Sequence, residues 1–462
     1  METNLTRGSV PKHIIGFAAP TILGNLFQLS YNAADSIIIE RFAGSNDLAA
    51  AATASPIMNI VIFFIVGICL GASILLGEFY GANDLRAFKR ELSTSFIGGL
   101  VFTVVLAVLL IVFTKPILRA LQTPEEVIPL SAGYLYVVYA GLIFTFIYNI
   151  YASALRAIGD AKTPTIFLVV AAVVNVALDL LFVAGFNTGA LGAAVATTIA
   201  QAVSGLLCIA YVRIKIPLLS LKRREWIVDK ILLIKTVSYS WASAMQQTCL
   251  YFGKLLIQGA VNPLGVDAIV AFNAVNRLDD FAFTPQQSIA HAMSAVIAQN
   301  RGAAIPKREK SALRWGMLFE FIYGIIIGAA LYIFATPAMR LFADTSGQAA
   351  IDMGLSYIHI IAFIYTMPAV TNGLQGYFRG MGLMKVTLMS TALQIATRVI
   401  ASYILAPMFG IKGIALSCGI GWIAMLAYEV PMLLHNLKHL NTEIRAFDNI
   451  AERKKSGKYA SQ

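Results

Sequence analysis

Charged residues are scarce in this chain of 462 residues: they make up 13% of it, whereas hydrophobic residues make up 58%. Soluble domains usually carry about a quarter charged residues. Long uncharged apolar runs recur from one end of the chain to the other, which excludes a soluble protein with a single membrane anchor. The composition therefore indicates a polytopic membrane protein.

Cysteines and catalytic motifs are equally sparse. The four cysteines, at positions 69, 208, 249 and 418, lie far apart inside apolar runs, which argues against a disulfide framework or a zinc site. The sequence has no nucleophile elbow and no phosphate-binding loop, so a membrane enzyme is a weak alternative, as is a channel, because no filter-like repeat is present. The first apolar run is too long for a cleavable signal peptide, and we expect it to remain as a helix.

Twelve apolar runs are long enough to cross a bilayer, since a helix of about 20 residues is sufficient. The connections are short, except for residues 213–230 in the middle and the polar tail at 437–462. We therefore predict helices at 14–39, 48–77, 92–113, 130–153, 164–186, 189–212, 231–258, 267–298, 315–336, 351–376, 386–406 and 411–435.

The basic residues between these spans predict their orientation. Lysine and arginine number 26 on one side of the twelve spans and 5 on the other. Basic loops stay in the cytoplasm, so we expect both termini and the loop at 213–230 to be cytoplasmic. This reading also accounts for the formal charge of +11, which in a soluble protein would suggest a nucleic-acid partner.

The chain repeats itself with a spacing close to half its length. An offset of 221 aligns Gly44 with Gly265 and Gly81 with Gly302, and an offset of 223 aligns Arg156 with Arg379. Six spans separate the copies, so both halves have the same orientation, as in transporters built from parallel repeats. We predict an N-terminal six-helix lobe at 1–212, a C-terminal lobe at 231–436, an inter-lobe loop at 213–230 and a cytoplasmic tail at 437–462.

Polar residues inside the spans of the first half are candidates for function, because a charge at mid-bilayer costs at least about 2.5–3.5 kcal/mol. The first span has one polar face that ends in Asp35, and the fifth places Asn175 and Asp179 one helical turn apart. For the asparagines and threonines, contacts between helices are an equal alternative. For Asp35 and Asp179 we favour a site for a proton or a hard cation such as sodium.

The second half carries different chemistry. Lys254, Arg277 and Arg398 can neutralise Asp279 and Asp280, and we favour a structural ion-pair network over a substrate site for these five residues. Their role stays open, as does that of Glu40 after the first span, which we interpret as a solvated end residue. Glu320 and Glu429 lie near the ends of their predicted spans and receive no role.

The residues together resemble the MATE (multidrug and toxic compound extrusion) transporters. The similar stretches are Asn32-Ala-Ala-Asp35, the turn Gly81-Ala-Asn-Asp84, the segment from Leu155 to Pro164 that contains Arg-Ala-Ile-Gly-Asp-Ala-Lys-Thr, Gly189 to Thr197, and Gln299-Asn-Arg-Gly302. The resemblance extends from about residue 10 to residue 436 and is specific through the order and spacing of these stretches.

This resemblance implies an all-α polytopic protein of about twelve transmembrane helices, in two parallel six-helix lobes around a V-shaped central cavity. It implies export of small organic cations or drugs in exchange for sodium or protons, and no enzyme activity. In the DinF-like branch the matching coupling residues are Asp35, Asn149, Asn175, Asp179 and Thr197. The NorM branch also uses acidic residues on helices 7 and 10, where this chain has Gln246, Gln247, Thr366 and Met367.

Further expectations follow from the same reading. We expect no cofactor apart from the coupling ion, no metal other than sodium, and no nucleic-acid partner. We expect a monomer in contact with lipid in a prokaryotic cell membrane. The residues predicted to line the substrate cavity are Gln28, Tyr31, Asn32, Gln247, Lys254, Asp280 and Arg398.

A flippase for lipid-linked oligosaccharides or peptidoglycan precursors, from the same superfamily, is the close alternative. Such proteins tend to have more helices and a cavity richer in basic residues. Lys254, Arg277 and Arg398 keep this alternative open.

Overall fold

A computed structural model describes residues 4–343 and 347–455. Within these ranges the chain contains helices and turns but no strand. The α-helices are α1 Val10–Phe42, α2 Ser45–Gly81, α3 Leu85–Ala120, α4 Ile128–Ala157, α5 Lys162–Asp179, α6 Gly189–Lys215, α7 Lys230–Val261, α8 Val266–Gly302, α9 Pro306–Ile333, α10 Ala335–Ala343, α11 Gln348–Ile364, α12 Thr366–Gly380, α13 Met384–Phe409 and α14 Ile411–Lys455.

These helices correspond to the twelve predicted spans, with differences at the ninth, the tenth and the last, where α14 continues to Lys455 instead of ending at residue 435. The tenth span was predicted as one helix, but α11 and α12 are bent by 52° at a break. Pro368 lies in the first turn of α12 and has no N–H to donate, which favours a break there. The ninth span begins earlier than predicted, at Pro306, and is followed by the short helix α10.

Nine helices in the described ranges are long and apolar enough to cross a membrane, and the bent pair makes ten. The helices α7 and α8 fall outside this set. Both carry polar and charged side chains along one face, among them Lys254 and Asp280, which lowers their mean hydropathy. Both helices are nevertheless long enough to span a bilayer.

Aspartate side chains fix several helix starts. Asp84 accepts a hydrogen bond from the backbone N–H of Ala87 at 2.9 Å at the start of α3, and Asp229 does the same for Ile231 at the start of α7, at 3.0 Å. Asp47 of α2 accepts from the N–H of Ala190 in α6 at 2.9 Å. This last hydrogen bond joins two helices. It therefore stabilises the first turn of α6 and also holds α6 against α2.

The inter-lobe loop is held to the N-terminal half by polar contacts. Lys89 on α3 forms an ion pair with Glu225 at 2.7 Å, and this hydrogen bond lowers the pKa of Glu225 below its usual range. Ser93 Oγ donates to the carbonyl of Ile227 at 2.9 Å and accepts from its N–H at 2.8 Å. The loop therefore follows a defined path over the end of α3.

Small residues bring the two halves together on one side. A Cβ added at Gly71 of α2 would lie 2.5 Å from the backbone of Ser240 in α7, and Gly81 and Gly302 touch the backbones of α8 and α2 in the same way. Ser240 Oγ also donates to the carbonyl of Ile68 at 2.8 Å. These contacts lie toward the end of α2 that leads into the basic loop after Gly81, so the halves are closed on that side.

Candidate functional site

A pair of buried carboxylates lies inside the N-terminal half. Asp35 of α1 and Asp179 at the end of α5 have carboxyl groups within hydrogen-bonding reach of each other. Asp179 is fully buried, and neither of its oxygens receives a hydrogen bond from a donor. One carboxylate can donate to another only when it holds a proton, so the pair calls for a proton or a cation between them.

Amide and hydroxyl oxygens surround this pair. Asn175 lies one helical turn before Asp179, and its Nδ2 donates to Thr197 Oγ1 of α6 at 3.4 Å. Its Oδ1 is buried and has no donor, and Gln201 Oε1 on α6 is in the same state. A cavity of about 10 Å³, lined in part by Tyr31, Asn175, Thr197 and Gln201, adjoins them. This volume is about the room that one water molecule requires.

The α5 helix changes form directly after Asp179. Residues Leu180–Gly185 form a π-helix, whose wider turns are rare and are frequent at functional sites. The side chain of Tyr134 on α4 also lies close enough to both carboxylates for an electrostatic interaction. Neither feature was predicted from the sequence, because periodicity does not distinguish a π-turn from an α-turn and tyrosine is common in apolar cores.

Four of the five predicted coupling residues, Asp35, Asn175, Asp179 and Thr197, therefore lie together. Asn149 on α4 donates a hydrogen bond from Nδ2 to the carbonyl of Thr145 at 2.8 Å, one turn back on its own helix. The unpaired oxygens of the group form a set of hard donors that can hold a sodium ion, and the carboxylates alone can hold a proton. The role of all five residues stays a prediction.

A larger cavity of about 650 Å³ separates the two halves on the side opposite their close contact. The α2 helix contributes only neutral residues to it, whereas α7 and α8 contribute Lys254 and Arg277. Tyr251 stacks on Phe63 with ring centroids 4.3 Å apart. The cavity walls are formed by Ala52, Ser55, Pro56, Asn59, Ile60, Tyr251, Lys254, Leu255, Asn273 and Arg277.

The predicted cavity residues divide between several places. Lys254 lines the large cavity and forms an ion pair with Asp280 at 2.7 Å. Tyr31 lines the small cavity of the N-terminal half, with Gln28 hydrogen-bonded beside it. Gln247 and Arg398 are not among the residues that line either cavity. The side chain of Asn32 lies outside the described residues.

The charges of the C-terminal half form two separate groups. Asp279 accepts a hydrogen bond from Tyr365 and lies within electrostatic range of Arg398, which also contacts Tyr357. Lys254 and Asp280 form the second group. Arg277 is exposed, and no carboxylate in the described ranges lies within 4.0 Å of it. Arg277 was therefore not a member of the ion pairs that the sequence suggested. Glu40 is exposed near the end of α1.

These features define the class of protein. A bundle of membrane-spanning helices in two halves, with a cavity between the halves and buried carboxylates in the interior, is the architecture of a secondary transporter. The MatE family model matches the chain twice, at residues 20–181 and 242–404. The chain belongs to the MATE family of membrane transporters.

The two matches start 222 residues apart, which agrees with the repeat found in the sequence. The assignment to the DinF-like branch stays a prediction. Because the relatives are transporters, the prediction that the chain is not an enzyme is confirmed.

Comparisons with individual proteins support this family assignment. The chain is 30% identical to the probable multidrug resistance protein YpnP of Bacillus subtilis over 91% of this chain and 94% of that protein. It is 24% identical to a FAD transporter of Shewanella oneidensis over 89% of this chain and 92% of that one. A crystal structure of MATE in complex with MaL6 superimposes with a TM-score of 0.88 at 20% identity, covering 96% of this chain and 99% of that chain. That last similarity concerns the fold alone.

Proposed function

We propose that this protein exports organic compounds across the membrane by antiport, driven by the entry of sodium ions or protons. The observation that carries this proposal is the contact between the buried carboxyl groups of Asp35 and Asp179, with unpaired oxygens around them. The multidrug names of relatives such as YpnP support the substrate class. The membrane is the cell membrane of a prokaryote, with both termini on the cytoplasmic side.

The carboxylate pair supplies the driving reaction in this proposal. Two like charges in a poorly solvated site cannot both stay ionised, so Asp35 and Asp179 take up an ion from outside. Uptake neutralises the pair and favours the conformation that releases substrate, because the two conformations differ in their affinity for the ion. One charge moving down 100 mV supplies about 2.3 kcal/mol, or about a fifty-fold concentration gradient.

The large cavity between the halves is the proposed substrate site. Its volume of about 650 Å³ suits a drug-sized molecule, and the stacked rings of Phe63 and Tyr251 offer an aromatic surface. The family resemblance predicts small organic cations as substrates. Asp280 neutralises the charge of Lys254, so Lys254 does not repel a cationic drug. Such a drug can then bind against the aromatic rings of the cavity.

A second candidate function rests on Arg277. Its guanidinium lines the cavity without a carboxylate partner among the described residues, so the cavity carries a net positive charge. This charge favours an anionic substrate, such as a phosphate-bearing solute or a lipid-linked precursor. Vesicles that contain a fluorescent lipid-linked pyrophosphate distinguish a flippase, which moves that lipid, from an exporter, which does not.

Dye efflux from vesicles tests the main proposal. Purified protein is reconstituted, a cationic dye is loaded, and a sodium gradient and a pH gradient are imposed separately. We expect one of the two gradients to drive efflux, and we expect Asp35→Asn and Asp179→Asn to abolish the gradient-driven part. The matched control is Asp352→Asn, because Asp352 is exposed and bonded only to Gln348 at 2.8 Å.

Normally inserted Asp35→Asn and Asp179→Asn proteins that still respond to either gradient would contradict the coupling role. Dye efflux that is indifferent to both gradients in the unmodified protein would contradict antiport itself. Single-channel currents would contradict a carrier.

A further inference from the structure

A further set of buried ionisable groups lies in the C-terminal half, on helices other than those that carry Asp35 and Asp179. We call Glu320 on α9, Arg379 on α12 and Glu429 on α14 the C-lobe carboxylate cluster. Both glutamates are fully buried, and Arg379 is 6% exposed. The structure corrects the sequence reading here, because α9 begins at Pro306 and α14 continues to Lys455, so both glutamates lie well inside their helices.

The charges of this cluster do not balance. Arg379 lies within electrostatic range of both Glu320 and Glu429, yet neither carboxylate comes within 4.0 Å of its guanidinium. Both oxygens of Glu320 and Oε2 of Glu429 are buried and have no hydrogen-bond partner. Two ionised glutamates against one arginine would leave one uncompensated negative charge in the protein interior, where its desolvation is costly.

A network of hydrogen bonds adjoins Glu429. Gln375 Nε2 donates to Glu429 Oε1 at 2.7 Å and to Ser390 Oγ at 2.8 Å. Gln246 Nε2 donates to Gln375 Oε1 at 2.6 Å and to Thr391 Oγ1 at 3.1 Å. Three helices, α7, α12 and α13, therefore build a network of amides and hydroxyls beside Glu429, whose Oε2 stays free. Carboxylate and hydroxyl oxygens are donors that suit a hard monovalent cation.

The internal repeat shows that the scaffold does not require these carboxylates. Arg379 aligns with Arg156, which has no carboxylate among the groups that influence it electrostatically. With the offset of 221, Glu320 aligns with Gly99 and Glu429 with Cys208. The N-terminal half thus keeps the arginine alone, and both carboxylates are additions specific to the C-terminal half.

We propose that the C-lobe carboxylate cluster binds one monovalent cation, a proton or a sodium ion, as a site separate from Asp35 and Asp179. A proton would sit on a glutamate oxygen, and a sodium ion would take Glu429 Oε2 together with neighbouring oxygens. The other titratable groups that face the cluster are Tyr323 on α9 and His291 on α8, which lies near Arg379.

Thermal unfolding of the detergent-solubilised protein tests this site. The starting protein carries Asp35→Asn and Asp179→Asn, which removes the N-terminal carboxylates. If sodium binds, replacing choline chloride with sodium chloride at constant pH raises the unfolding midpoint, because the ion binds the folded state. If a proton binds, the midpoint falls as the pH is raised in choline chloride, since the folded state then loses its bound proton.

Adding Glu320→Gln or Glu429→Gln to this protein should abolish the response, because glutamine keeps the shape of a neutral glutamate without its charge. A midpoint that responds to neither sodium nor pH in the starting protein would overturn the proposal. A response that persists in both glutamine variants would overturn it as well.

A chemical measurement on the unmodified protein covers the case in which these variants fail to fold. A hydrophobic carbodiimide reacts with protonated carboxyl groups in apolar surroundings, and mass spectrometry locates the adduct. We expect labelling of Glu320 or Glu429, suppressed by sodium if sodium is the ligand. Absence of label on both glutamates at acidic and alkaline pH would count against the site.

Discussion

At the scale of single residues, burial separates aspartates that the sequence presents as similar. Asp280 is about half exposed and pairs with Lys254, and such an exposed pair stabilises by about 0–1 kcal/mol. Asp179 is fully buried with no donor to either oxygen. Removing the charge of Asp280 should therefore change the stability of the fold little, whereas the charge of Asp179 is tolerable only when an ion or proton accompanies it.

The charge of Arg277 provides a test of substrate preference. We expect Arg277→Glu to lower the KM for a cationic dye and to weaken inhibition by anionic compounds, each by about thirtyfold, as expected for about 2 kcal/mol from a change of two charges at contact distance in water. The measurement is dye efflux at varied dye and inhibitor concentration. Lys412→Glu is the control, because Lys412 is exposed outside the cavity. Equal changes in both variants would show an effect of net charge alone.

At the scale of helices, α2 is the element that both halves share as a contact surface. Gly67 and Gly71 of α2 lie directly against the backbones of Ala244 and Ser240 in α7. A side chain at either glycine has no space, so these positions allow the close approach of the halves. The same helix lines the large cavity farther along, at Ser55 and Asn59. One helix therefore joins the closed side and the open side of the molecule.

Gly71→Leu should prevent the closure seen here. We expect gradient-driven efflux to fall at least about tenfold. Destabilising the closed conformation by about 1.4 kcal/mol already lowers its population relative to the open conformation by that factor. A cysteine placed at Ser243, which is fully buried beside Gly67, should become accessible to a thiol reagent in Gly71→Leu but not otherwise. Gly16→Leu is the control, since a Cβ at Gly16 meets no atom within 4 Å. Normal efflux in Gly71→Leu would refute the role of this contact.

At the scale of the whole molecule, the two halves share a scaffold and differ in chemistry. The family model matches both halves, yet the buried carboxylates occupy unrelated positions in them. Carboxylates with a buried oxygen that has no hydrogen-bond partner include Asp35 on α1 and Asp179 on α5 in the N-terminal half, and Glu320 on α9 and Glu429 on α14 in the C-terminal half. In the proposed transport cycle both halves take part in closure, so an ion bound in either half would bias the same conformational equilibrium.

The orientation of the molecule can be tested directly. The 26 to 5 distribution of basic residues predicts a cytoplasmic C-terminus. A green fluorescent protein fused after Gln462 should fluoresce, and alkaline phosphatase fused there should be inactive. Alkaline phosphatase fused after Gln122, between α3 and α4, should be active because that turn lies on the opposite side. The reverse pattern would show the opposite orientation.

Helix number, repeat and family were predictable from the sequence, because a bilayer demands long apolar helices and leaves a visible pattern. The grouping of Asp35, Asn175, Asp179 and Thr197 followed from helical spacing together with the family resemblance. Other features depended on contacts between distant segments. The π-helix after Asp179 and the bend before Pro368 required the structure. So did the cluster of Glu320, Arg379 and Glu429, because its three residues come from helices that only packing brings together.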